Sequence, residues 1–199
     1  LSLERGNIAA LRARAKALNQ LNRGEEALAA YRELVETGGS EVSDFTDPAY
    51  LAAKLDKKSE ADHFLNAGSE KVPQSEVFAR MEGWARIGLQ ENEAALRAFR
   101  RAEALTEAGQ KPGIDLLAGL AISQWLTGGK DEAIASYRQL IETGRTLENP
   151  TDWADPKKVA DLGWPEAETK PLEEVRQSTV AKHPDLAPKP KPDATGSDR

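Results

Sequence analysis

The chain has 199 residues, of which 39% are hydrophobic and 30% charged, and its net charge is −6. That is the balance of a soluble chain long enough to bury a core, as one domain or one short repeat array. The negative charge argues against a general nucleic-acid or anionic-membrane binder, since both need a basic surface.

There is no cysteine, which excludes disulfides, thiolate zinc sites and cysteine nucleophiles. This fits a bacterial protein of the cytosol or the periplasm and does not separate the two. No apolar run approaches the ~20 residues needed to span a bilayer, so no membrane insertion is expected in this segment. The chain begins at Leu1 rather than Met. That reads as a processed chain or a piece of a longer one, with any N-terminal signal or anchor already removed.

In chain order, Leu11, Ala15 and Leu18 mark a first helix at helical spacing, and GEEALAAYRELVETGG at 24–39 marks a second. Gly38 stands where a left-handed C-cap would close it. Asp47-Pro48 reads as an N-cap followed by proline at the first helical position, which predicts a short helix near 48–55. EADHFLNAG follows at 60–68. Phe78, Ala79, Gly83 and Ala85 open the next helix, and Ala95 and Phe99 lie on its successor. EAGQKPG at 107–113 is a long loop. Leu117, Ala121 and Gln124 mark another helix, and KDEAIASYRQLIETGR at 130–145 the one after, with Gly144 expected to cap it. Asp155-Pro156 predicts a second short helix near 156–162. After a WPEAETK loop, Pro171 is expected to start the last helix, 171–182, because proline breaks a helix interior. Residues 183–199 carry four prolines and few apolar side chains, the composition of a flexible tail.

Residues 24–39 and 130–145 are nearly the same phrase, and FTDP at 45–48 returns as WADP at 153–156. Internal duplication is the simplest account. A shorter period runs inside it. Alanine followed four residues later by a large residue recurs at Ala27, Ala61, Ala95 and Ala133, and extends to Ala167, at spacings of 34, 34, 38 and 34. In the stronger repeats a large, a small and another apolar residue stand 16, 12 and 9 positions before the alanine, as in Leu11, Ala15 and Leu18.

This pattern resembles the tetratricopeptide repeat (TPR). The resemblance covers about residues 5–182, strongly in repeats one, three and four and weakly in two and five. The proline that usually closes the repeat is missing from the good ones. The resemblance implies an all-α solenoid of antiparallel helix pairs over residues 1–182, about five repeats with two degenerate, followed by the tail. A plain helical bundle is the alternative fold.

No constellation for chemistry is present. His63 and His183 lack metal-ligand spacing, TGGKDE at 127–132 follows no strand, and the serines lack a nucleophile motif. No enzyme, cofactor or metal is therefore expected. The resemblance implies instead a concave face lined by the first helix of each repeat. Its outward positions lie about 15, 11 and 8 residues before the alanine. They are Arg12, Lys16 and Asn19 in repeat one, Arg80, Trp84 and Ile87 in repeat three, and Ala118, Ile122 and Trp125 in repeat four. From these, Arg12, Lys16, Arg80, Trp84, Ile122 and Trp125 are expected to form a partner-binding surface centred between repeats three and four. The cations by which chaperone-tail-binding TPRs clamp a C-terminal carboxylate are incomplete, because Asp115 and Gly119 stand at two of the positions. The expected function is a non-enzymatic protein-interaction module that takes a peptide or partner helix. The alternative is a structural or self-associating scaffold element.

Overall fold

The computed structural model describes residues 2–107, 110–147 and 152–188, with side chains from residue 7 onward. Among these, ten α-helices form and no strand does: α1 Ser2–Gln20, α2 Gly24–Glu36, α3 Val42–Lys54, α4 Lys58–Lys71, α5 Glu76–Gly88, α6 Asn92–Leu105, α7 Ile114–Leu126, α8 Lys130–Arg145, α9 Pro156–Ala160 and α10 Glu166–Lys182. Consecutive helices pair as α1/α2, α3/α4, α5/α6 and α7/α8, and each pair stacks on the next.

One turn is used four times. Asn22, Asp56, Gln90 and Gly128 have φ of 57°, 55°, 59° and 90°, each five residues before an alanine of the 34-residue period. The following amide donates back five residues, from Arg23 to Leu18, Lys57 to Ala52, Glu91 to Arg86 and Gly129 to Gln124, at 2.8–2.9 Å. This left-handed closure satisfies carbonyls that the end of a helix leaves unpaired. It returns the second helix antiparallel to the first, and the core follows. Ala27, Ala61, Ala95 and Ala133 are fully buried, as are Tyr31, Phe99 and Tyr137 four residues on. Small residues at the crossings let the helices approach, and the aromatic rings fill the space to the next pair.

The second pair departs from expectation. Its first helix is not a short piece from residue 48; α3 begins at Val42 and carries Pro48 inside it. Arg12 of α1 explains this. Its Nε and Nη2 donate to the two carboxylate oxygens of Asp44 at 2.7 and 2.8 Å, and Nη1 lies 2.9 Å from Glu41. Asp44 in turn accepts the Glu41 amide at 3.1 Å, half of a capping box. A clamp from outside the segment thus fixes the helix start six residues before the proline. In the second copy of the duplication Arg12 corresponds to Ala118, whose side chain cannot form such a clamp. There Asp152 pairs with Arg145, and among the described residues the next helix starts at Pro156, capped by Asp155 on the Lys157 amide at 2.9 Å. The echo also diverges at the end of its helix, here for a local reason. Gly38 takes φ of 108° and closes α2, whereas Gly144 stays inside α8, whose last residue is Arg145 rather than a second glycine.

The fifth pair, α9 and α10, is out of register. Ala167 is exposed rather than buried. The last helix starts at Glu166, not at Pro171, and holds that proline in its second turn. The expected tail at 183–199 has an ordered beginning. Pro184–Leu186 form one 3-10 turn, Leu186 is buried, and its carbonyl accepts from Arg145 at 2.7 Å. The rest of that expectation, residues 189–199, lies outside the described residues, as do positions 108–109 of the EAGQKPG loop.

Candidate binding surface

The first helices α1, α3, α5 and α7 stand side by side and wall one face of the stack. At the α1–α3 end this wall is open. A small groove of about 130 Å³ is lined by Asn19, Asp47, Tyr50, Leu51, Lys54 and Met81. Lys16 borders it from α1, with Nζ 3.4 Å from the Ser43 hydroxyl. The Lys54 ammonium sits over the Tyr50 ring at 4.6 Å. Burial pushes the Asp47 carboxyl above its ordinary range, and Lys16 and the Tyr31 hydroxyl act against that shift. Arg12 belongs to the wall rather than to the opening, because Asp44 holds it and is itself 0% exposed. Arg80 is likewise engaged, with Glu76 at 2.8 Å and with Asp115 of α7.

At the α5–α7 end the same face is covered, and the cover is α10. This helix packs on α7 and α8 and also reaches α5. Near its start, Glu168 accepts a hydrogen bond from Tyr50 of α3 at 3.2 Å. Just before it, Trp164 meets Trp84 edge to face at 5.1 Å, and Trp84 meets Phe99 likewise at 5.4 Å. Trp84 is 7% exposed and Ile122 is fully buried, so neither is open to a ligand. Trp125 is half-buried. Its indole N–H donates to Glu174 of α10 at 2.8 Å, and Lys130 lies over its ring at 3.4 Å. Burial raises the Glu168 carboxyl above its ordinary range, opposed by the Tyr50 hydrogen bond and by Lys54.

The structure aligns with a tetratricopeptide repeat protein from Parabacteroides merdae ATCC 43184 with a TM-score of 0.61 and 20% identity, over 92% of this chain and 66% of that chain. The fold is that of the tetratricopeptide repeat. No protein-family model matches the sequence, and no curated protein does.

The first helices here present two different surfaces. Of the six residues expected on the concave face, Lys16 alone borders the open groove. Arg12 and Arg80 are tied into ion pairs beside it, and Trp84, Ile122 and Trp125 lie under or against α10. Tyr50 and Lys54 were missed. The spacing that selects Lys16 and Trp84, eleven residues before the alanine, selects Tyr50 before Ala61 once α3 is read as a full helix. Among the described residues no cluster of three metal-ligating side chains occurs, and no helix is long and apolar enough to cross a membrane.

Proposed function

We propose that the chain is a non-enzymatic interaction module that takes a peptide or partner helix in the open half of the TPR concave face. The observation that carries this is the groove between α1, α3 and α5, lined by half-buried Asn19, Asp47, Tyr50 and Met81 beside two lysines. Tyrosine offers a large contact area with a polar tip, and methionine adapts to what meets it. Lys16 and Lys54 close no ion pair among the described residues, so the partner segment that fits is acidic. The test is Lys16→Gln combined with Lys54→Gln. These remove both charges without setting a new carboxylate beside Asp47 or Glu168, so the melting temperature should stay near the wild type's while proteins co-purifying with the wild type are lost. Partners retained at unchanged stability would overturn the reading.

A scaffold role has one observation in its favour. The outer face of α1 leaves Ala10, Ala13 and Ala17 exposed, and Leu21 beyond it is 66% exposed. Sedimentation over a concentration series decides between the two, since end-to-end association through α1 gives larger species that Leu21→Lys abolishes.

A further inference from the structure

The α5–α7 end of the concave face is covered in an unusual way. A helix that merely added a fifth repeat would bury its small residue at the crossing and meet only repeat four. Instead Ala167 is exposed, α10 reaches back to α5, and Glu168 bonds to Tyr50, 118 residues earlier. The segment packs on α8 and α7 as an end helix does, but its start also crosses to α5 and α3.

We propose that the α5–α7 wall is a helix-binding seat held closed by the chain's own segment 164–182, and that its external partner is an amphipathic helix with the chemistry of that segment. The chemistry is an aromatic residue just before the helix and two carboxylates six positions apart. The aromatic covers Trp84, as Trp164 does at 5.1 Å. The carboxylates take the two donors that the wall offers, the Tyr50 hydroxyl and the Trp125 indole N–H, as Glu168 and Glu174 do. The apolar stripe beside them follows Leu172 and Val175, both fully buried. This deepens the reading above, on which it rests, and places a second site beside the open groove.

The own segment fills the seat incompletely, which is why another helix can compete. A cleft of about 530 Å³ remains between α10 and the wall, bounded by Ile87, Leu126, Ala167 and Pro171. Pro171 removes one amide donor from the helix, and the Glu168 carboxylate is 2% exposed, a desolvation that a neutral contact would avoid. Tethering compensates for the imperfect fit, because a linked segment competes at an effective concentration of order millimolar. Gly163, with φ of 63°, and Pro165 bracket the point where the segment enters the face.

The experiment uses the full chain and a labelled synthetic peptide of residues 162–182. Trp164→Ala with Glu174→Ala weakens the tethered copy and leaves the wall intact. The expected result is at least about tenfold tighter peptide binding to this variant than to the wild type, and loss of that gain when Trp125→Phe removes the indole donor. In the unaltered chain, hydrogen exchange should show amides 166–170 opening more readily than α5 and α7. Equal peptide binding to variant and wild type, or α10 amides that exchange only with global unfolding, would overturn the proposal. So would a wild-type dimer that exchanges this segment between copies, which would make the occupant a second copy instead. Lys54 also faces Glu168, whereas Lys16→Gln alone touches only the open groove, so failure there and failure here are read separately.

Discussion

Phe99 shows what single residues decide. A Cβ placed on Gly83 would come 2.6 Å from its ring, and one on Gly119 would come 2.3 Å from it. Both helices that flank α6 therefore approach this ring as closely as backbone allows. Alanine at 119 would gain helix propensity worth about 1 kcal/mol. It would also force the ring into Gly83, and overpacking costs about 1–3 kcal/mol. Gly119→Ala is expected to lower stability by up to about 2 kcal/mol in denaturant titration, against the propensity trend. Unchanged stability would mean that the ring has room to move. This kind of residue was legible in the sequence: the alanines at 27, 61, 95 and 133 and the small residues before them are set by close packing, and close packing leaves a period.

At the scale of elements, the duplicated phrase makes two different structures, α3 with thirteen residues and α9 with five. Phe45 and Trp153 are both buried, yet one lies within a helix and the other in a turn. Tyr31 and Tyr137 report the difference. The Tyr137 hydroxyl donates to the Trp153 carbonyl at 2.7 Å, whereas Tyr31 reaches the Asp47 side chain at 3.4 Å. Arg12 is the cause, and Arg12→Ala tests it. The substitution leaves Asp44 buried without its partner, a loss of about 3–5 kcal/mol, and circular dichroism should show less helix as the first turns of α3 unravel. A variant with full stability would return Arg12 to the binding surface on which its position first placed it. The length of α3 was not legible because Asp47-Pro48 is a strong local start signal, and a contact from 32 residues away overrides it. The register of α10 escaped for a similar reason. Pro171 argues locally for a helix start, and the contacts that carry the helix through it come from α8, α7, α5 and α3. The candidate site shows the same division. Helical spacing gave the direction in which Trp84, Ile122 and Trp125 project, but direction alone does not say which later segment returns to cover them.

For the whole molecule, the consequence is a solenoid whose concave face is half open and half closed by its own C-terminal helix, with one buried carboxylate at the join. Glu168 faces Tyr50 and Lys54 there. Its folded pKa lies above the ordinary carboxylate range because burial disfavours the charge. For a raised acid, the folded state binds more protons than the unfolded one between the two pKa values. The stability it contributes is therefore fully present below the unfolded pKa and is lost as pH rises through the folded one. Glu91 and Glu173, held low by their cationic partners, act in the opposite sense and lose their contribution as pH falls. The total profile mixes both, so the join is isolated by comparing Glu168→Gln with the wild type. The amide still accepts the Tyr50 hydrogen bond and carries no charge. Its melting temperature should exceed the wild type's by about 2–4 °C at pH 7, corresponding to about 1 kcal/mol. The gap should close as the medium is acidified and the wild-type carboxyl takes up its proton. A gap that stayed constant across that range would show that Glu168 does not carry its charge into the closed join.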